Sequence, residues 1–392
     1  MMIDILQLSE EAQRKKHTNP NVINATAGMY FDEEGRVGGM PSVFKGLKTF
    51  NEDQMLPYPA SDGAEPFKSN AISWVLDLYE EKLRKSLYIA ANATPGGSGA
   101  IAGVFSIYAE PGDKVFISNI RWQYDRFAQR ARLSIFEHNT FIDDHFDVKS
   151  FETELEKLCK IQKQVIVVIN DPCHNPTGYT LSMEEWKEIL VAINKFKDNN
   201  IVLMYDLAYL EYSDEKDPRA KLSYLDVLGS HVITIMTFSG SKTFGIYGLR
   251  MGAAIALSKD ESKIRHFQRA FIDESRGSWS ATPMVAIELL NYFSKKENQR
   301  EFLVDLEDMH KQVNARSTLF KEQAKAAGLK THPFRSGFYT IVLADDPEAA
   351  FKKLLDQDIY TIPMAGGIRI ALCSLPLHEI DGLATRIQKI IG

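Results

Sequence analysis

Between residues 88 and 258, short apolar runs alternate with amphipathic stretches, and this alternation constrains the fold more than any other feature of the chain. The runs are KVFIS (114–118), LSIFE (133–137), QVIVVIN (164–170), IVLMYD (201–206), VITIMTF (232–238) and GAAIALS (252–258). Near-continuous apolar runs of this length read as strands buried on both faces. Between two of them, MEEWKEILVAINKFKD (183–198) sets apolar residues at helical spacing with charges opposite, as a crossover helix on a parallel sheet requires. The architecture is therefore α/β. After residue 258 the pattern changes to long helices, predicted over 259–275 and 281–328. A smaller α+β unit follows, with FYTIVLA (338–344) and GIRIALC (367–373) as strands around a helix at 347–358. The first forty or so residues carry no strong sheet pattern, and the sequence does not decide whether they join that smaller unit.

Composition excludes several classes of function. At 392 residues the chain is long enough for two to three domains, and 44% hydrophobic with 25% charged residues is ordinary for a globular protein. The net charge of −6 provides no basic footprint for nucleic acid or anionic lipid, so an anionic ligand must be caught locally. The longest apolar stretch, about residues 100–109, falls short of the roughly 18 to 20 residues that span a bilayer. The N-terminal MMIDILQLSEEAQRKK reverses the charge order of a secretory signal, and a cytoplasmic location is expected. Cys159, Cys173 and Cys373 form no CxxC pair, which disfavours a disulfide framework and a thiolate metal site alike.

Ligands of open α/β sheets bind at the carboxyl ends of the strands, and four such ends here are chemically loaded. QVIVVIN is followed by DPCHNPTGYT with Asn175, and IVLMYD ends on Asp206, three residues before Tyr209. VITIMTF runs into SGSKTFGIYGLRMG with Ser239, Lys242, Tyr247 and Arg250, while ATPGGSGA precedes the apolar stretch near residue 100. A lysine just past a buried strand is placed to become a desolvated amine that forms a Schiff base. An aspartate at the neighbouring strand tip could keep a pyridine nitrogen protonated and so make the ring an electron sink. The glycine run at a helix start, with the Arg250 fork, suits a phosphate. An aldehyde, a pyridine and a phosphate together describe pyridoxal 5'-phosphate.

In order and spacing, SGSKTFGIYGLRMG, NPTG at 175–178 and YDLAY at 205–209 resemble the class I pyridoxal-phosphate-dependent aminotransferases, most of all the aspartate and aromatic amino-acid subgroup. The resemblance runs from about Asn24 to Arg369. It implies the large fold type I architecture, a mostly parallel seven-stranded sheet flanked by helices, with residues 40–295 as the cofactor-binding domain and 1–39 plus 296–392 as the small domain. It implies that Lys242 tethers the cofactor and moves the proton, that Asp206 pairs with the pyridine nitrogen, and that Asn175 and Tyr209 donate to the ring's phenolate oxygen. Phosphate contacts would come from Gly96, Gly97, Ser98, Ser239 and Arg250, and Trp122 would stack on the ring. Arg369 matches the arginine that takes the substrate α-carboxylate, and Gly28 the glycine of a segment that closes over substrate. Tyr58 and Arg276 match residues that reach into the neighbouring subunit's site, for the phosphate and the distal carboxylate respectively, which implies a homodimer with shared active sites.

Two positions depart from that subgroup. Asp125 stands where the subgroup commonly has a histidine supporting the pyridine-pairing aspartate, and an acid there needs another partner, such as Tyr124 or water. Trp279, in RGSWS, replaces a tyrosine beside the distal-carboxylate site and could favour an aromatic side chain. The resemblance thus implies ping-pong transamination between an L-amino acid and a 2-oxo acid, taken as aspartate with 2-oxoglutarate. Aromatic donors are the alternative, and C–S or β-lyase chemistry on the same cofactor a further one.

Overall fold

The structure, a computed structural model, describes residues 4–392. Seven strands form one central sheet: β1 (Tyr88–Pro95), β2 (Lys114–Ser118), β3 (Ser134–His138), β4 (Gln164–Asn170), β5 (Asn200–Asp206), β6 (Val232–Ser239) and β7 (Met251–Ser258). Their spatial order is β1-β7-β6-β5-β4-β2-β3. Six run in one direction; β7 alone is antiparallel to both its neighbours, β1 and β6. Alternate residues of β4 show why the runs are apolar throughout. Val165, Val167 and Ile169 pack into a core with Trp186 and Ile189 of the helix Met183–Asn194, while Ile166 and Val168 enter a second core with Val104, Phe105 and Phe267. Both sheet faces are covered by helices, so apolar residues dominate on each.

Each predicted strand is present within one or two residues, and β1 is an addition. Its sequence, YIAANATP, carries Asn92, Thr94 and Pro95 in place of a continuous apolar run. Two helices end differently from the pattern. The crossover helix stops at Asn194, with Asn199 beyond it donating to the carbonyls of Cys159 and Gln162 and turning the chain into β5. The long helical stretch divides into Met284–Phe293 and Lys296–Ala327, where Ser294 caps the carbonyl of Leu290 and Asn298 that of Tyr292. No helix among the described residues is long and apolar enough to cross a membrane.

The chain ends pack together. Ile23–Asn24 pairs in parallel with Ile359–Tyr360, the amide of Ala371 donates to Ala25, and Tyr339–Leu343, Gly367–Ala371 and Ile362–Met364 form a three-stranded antiparallel sheet. Ile23 and Ala25 share a core with Ile341's neighbours Val342, Ile368 and Ile370 and with Leu354 and Ile387. This brings Arg369 and the segment around Gly28 against the carboxyl edge of the large sheet.

Candidate active site

Strand register assembles the site. Asn170 of β4 lies opposite Asp206 of β5, Asp206 opposite Thr237 of β6, and Ser239 opposite Gly252 of β7. Because β7 runs against the others, its amino end meets their carboxyl ends, and Arg250, one residue ahead of it, arrives at the same edge. A cleft of about 250 Å³ opens there, lined by Gly28, Gly97, Ser98, Trp122, Asn175, Asp206, Tyr209, Ser239, Lys242, Arg250 and Arg369. These eleven expected residues come from seven separated stretches of chain.

At the centre, Lys242 lies in the short helix Gly240–Thr243, its ammonium 5.4 Å from the centroid of the Tyr209 ring. Burial lowers its pKa to about 8, against the opposing attraction of Asp206. Burial also raises the carboxyl pKa of Asp206, opposed first by the hydroxyl of Tyr124, which donates to Oδ2 at 2.5 Å, and by the amide of Ala208, which donates to Oδ1 at 3.1 Å. Asn175 Nδ2 donates to the Tyr209 hydroxyl at 3.1 Å, and Tyr209 donates to the Tyr339 hydroxyl at 3.3 Å. Asn175 Oδ1 is buried without a partner. Whichever way the amide is turned, one polar atom of Asn175 is left for a group in the cleft.

The phosphate-like end is a cradle. The helix Gly96–Tyr108 starts at the cleft with no side-chain cap and no acidic residue in its first turn, leaving first-turn amides for an anion. Arg250 adopts φ +54°, uncommon for a residue with a Cβ, and its Nη1 is held by the carbonyl of Tyr247 at 2.8 Å and the hydroxyl of Ser241 at 3.1 Å. Gly96 does not line the cleft itself; a Cβ on it would lie 2.6 Å from Arg250 Nη2, so the glycine makes room for the guanidinium. Gly252 is needed for a related reason, since its Cβ would lie 2.4 Å from the backbone of Gly96. The donors, the free polar atom and the close-packed glycines fit a phosphorylated pyridine.

On the opposite wall, Arg369 is 3% exposed and stacks over Tyr339, 4.6 Å from the ring centroid. Its Nη2 donates to the carbonyl of Thr26 at 2.8 Å, whereas Nε is buried without a partner, the state of a fork awaiting a carboxylate. A Cβ on Gly28 would fall 2.0 Å from the Tyr339 hydroxyl, so the Gly28 segment closes directly on that tyrosine. Tyr339 lay inside a run read only as a strand, and Ile5 and Leu6, which also line the cleft, lay in the unassigned N-terminus. No local signal distinguishes these three residues.

Tyr58 and Arg276 are not brought into this cleft. Tyr58 is 92% exposed beside exposed Leu56 and Met55, and Arg276 is exposed at the end of the helix Glu261–Ser278, in contact with the Ser280 hydroxyl. Their segments touch, Ser275 donating to the carbonyl of Ser61. Asp125 stands apart too. It forms a two-point ion pair with Arg121, at 2.6 and 2.8 Å, and the support for Asp206 comes from Tyr124 one residue earlier.

A family model for aminotransferase class I and II matches residues 20–387. The chain belongs to this family. Among members, the aromatic-amino-acid aminotransferase of Pseudomonas aeruginosa is 28% identical over 207 residues, which cover 51% of this chain and 49% of that protein, so this match spans about half its length. The crystal structure of an aminotransferase from Anaerococcus prevotii superposes with a TM-score of 0.96 at 27% identity, covering 100% of this chain and 97% of that one. The aromatic-amino-acid aminotransferase of Burkholderia pseudomallei, whose structure holds covalently bound pyridoxal phosphate, has the same fold with a TM-score of 0.82 at 21% identity, covering 100% and 98%. The class I and II aminotransferase family thus accounts for the fold type I architecture.

Proposed function

We propose that this chain is a pyridoxal-phosphate-dependent aminotransferase that moves the amino group of an L-amino acid, aspartate, to 2-oxoglutarate in a ping-pong cycle. The observation that carries the reading is the convergence of Lys242, Asp206 and Arg369 on one cleft: a lysine with a lowered pKa, a buried carboxylate and a half-partnered guanidinium. Bound there, the cofactor supplies an electron sink for removal of the α-proton. Asp206 would pair with the ring nitrogen, and Asn175 and Tyr209 would hold the phenolate oxygen. Gly96, Gly97, Ser98, Ser239 and Arg250 hold the phosphate, and Trp122 covers the ring. Arg369 would bind the α-carboxylate and orient the α-carbon, and Lys242 would serve as both tether for the cofactor and base for the α-proton. Gly28 belongs to the segment that closes over substrate and excludes water. Residues 40–295 serve as the cofactor-binding domain, with 1–39 and 296–392 as the small domain.

The active form is a homodimer. Tyr58 and Arg276, solvent-exposed on segments that touch, supply the partner's site with a phosphate contact and a distal-carboxylate contact. An aromatic donor is the second reading, favoured by the apolar Ile5 and Leu6 at the cleft and by Trp279 near Arg276. The test is the visible absorption spectrum of cofactor-loaded protein during separate additions of aspartate, glutamate, tyrosine and phenylalanine without a 2-oxo acid. Conversion to the pyridoxamine form by aspartate supports the first reading, and conversion by the aromatic pair alone the second. Absence of a visible band from the cofactor-loaded protein removes Lys242 from its role. A loaded form that none of the four converts, but that releases ammonia from a β-substituted amino acid, points to a lyase.

A further inference from the structure

The strongest side-chain donor to the carboxylate of Asp206 is a phenol, with the hydroxyl of Thr237, across the strand pair, a weaker second. Tyr124 is fully buried and begins the helix Tyr124–Arg130, with its hydroxyl 2.5 Å from Asp206 Oδ2. Its ring packs edge-on against Trp122, with centroids 5.3 Å apart at 84°, and its amide donates to the Trp122 carbonyl. The flanking residues fix this placement from outside. Arg121, ahead of the helix, pairs with Asp125 in its first turn, bonds Glu137 at 2.7 Å, and donates to the carbonyl of Ser118 at 3.0 Å, tying the segment to the ends of β2 and β3. With residues 121 and 125 held outward, Tyr124 points inward. We propose that Tyr124 is the positioning residue that orients Asp206 and keeps its negative charge available to the pyridine nitrogen, and that Asp125 has no part in this.

The proposal rests on the cofactor reading above. Its chemistry follows from what a phenol does. Tyr124 donates to Asp206 and contributes no positive charge of its own, so the pair presents one negative charge to the ring nitrogen. Without the hydroxyl, Oδ2 loses its donor in a buried site, the carboxylate becomes more basic, and the shared proton moves from the ring nitrogen toward Asp206. A ring with less positive charge withdraws electrons less strongly, and the Lys242 nitrogen bound to it holds its proton to higher pH. Tyr124 makes no hydrogen bond to Arg369, whose guanidinium is held by the Thr26 carbonyl, so binding of the donor amino acid should be little affected.

The experiment compares cofactor-loaded wild type, Tyr124→Phe, Asp125→Asn, and protein carrying 3-fluorotyrosine at position 124. Two readouts are independent of turnover: the pH midpoint of the visible band, and the 15N chemical shift of cofactor labelled at the ring nitrogen. Tyr124→Phe should raise the midpoint by about half to one pH unit and move the nitrogen signal toward unprotonated pyridine. It should lower kcat about 10- to 100-fold with KM changed less than about threefold. Fluorotyrosine, a stronger donor, should move the midpoint the other way, a sign reversal that a merely space-filling role would not produce. Asp125→Asn should leave both readouts unchanged. Unchanged readouts in Tyr124→Phe, or a shift in Asp125→Asn instead, overturn the proposal. A wild type that forms no visible band overturns the cofactor reading itself.

Discussion

Replacing Lys242 with methionine should make the cofactor-free protein more stable at neutral pH, because a reactive amine is held in that cleft at a cost to folding. The Lys242 pKa falls from 10.5 to about 8, with burial the largest cause, and that drop already contains the attraction to Asp206. It corresponds to about 3 kcal/mol, reduced to about 2 to 3 kcal/mol by the water that reaches a side chain lining an open cleft. The sign follows from proton counts. Between pH 8 and 10.5 the unfolded chain holds more protons at this site than the folded one, so the wild type gains stability as pH rises through that window and loses it as pH falls. Below pH 8 the full penalty is present; above about 10.5 the lysine is neutral in both states and the penalty is gone. Urea denaturation of both proteins at pH 7, 8, 9 and 10, at one protein concentration, isolates the site as a difference. Lys242→Met should be more stable at pH 7 by about 2 to 3 kcal/mol, the advantage shrinking toward zero near pH 10.5. A variant less stable at pH 7, or an advantage independent of pH, would refute the argument that burial sets this amine's reactivity.

Other perturbations test other walls of the cleft. Arg369→Ala removes a buried fork with one nitrogen unpartnered, and steady-state kinetics should show kcat/KM falling by about 2 to 5 kcal/mol for every amino donor, acidic or aromatic. Arg276→Ala should lower kcat/KM by a similar amount for aspartate while leaving phenylalanine within about threefold; equal losses for both donors would deny it a side-chain contact. Gly252→Ala pushes a methyl group to within 2.4 Å of the Gly96 backbone, and should cost about 1 to 3 kcal/mol in denaturation while weakening cofactor retention on dialysis.

The sheet was legible because strands covered on both faces cannot hide their composition. QVIVVIN became β4 residue for residue, and IVLMYD and VITIMTF each came within one residue of β5 and β6. β1 escaped that test because Asn92, Thr94 and Pro95 break its apolar run. The chemistry at the strand ends was legible for a related reason: Asp206, Lys242 and Arg250 stand where an apolar run stops, and polar residues there must face either solvent or a ligand. Tyr339, Ile5 and Leu6 had no such marker, since each becomes part of the cleft only when distant chain segments fold over the sheet edge.

By itself, then, the sequence determined the α/β class, six of the seven central strands and which polar residues stand at their ends, because burial and local geometry restrict which side chains such positions tolerate. Tertiary structure decided what contact alone can decide. It turned Asp125 outward to Arg121 and Tyr124 inward to Asp206, a choice between adjacent residues that no periodicity encodes. It set Gly252 against Gly96 and Gly28 against Tyr339, where the required absence of a side chain depends on a neighbour far away in the chain. Hydrogen bonds and steric exclusion act over a few ångströms in space, and the order of residues along the chain does not state which ones those distances will join.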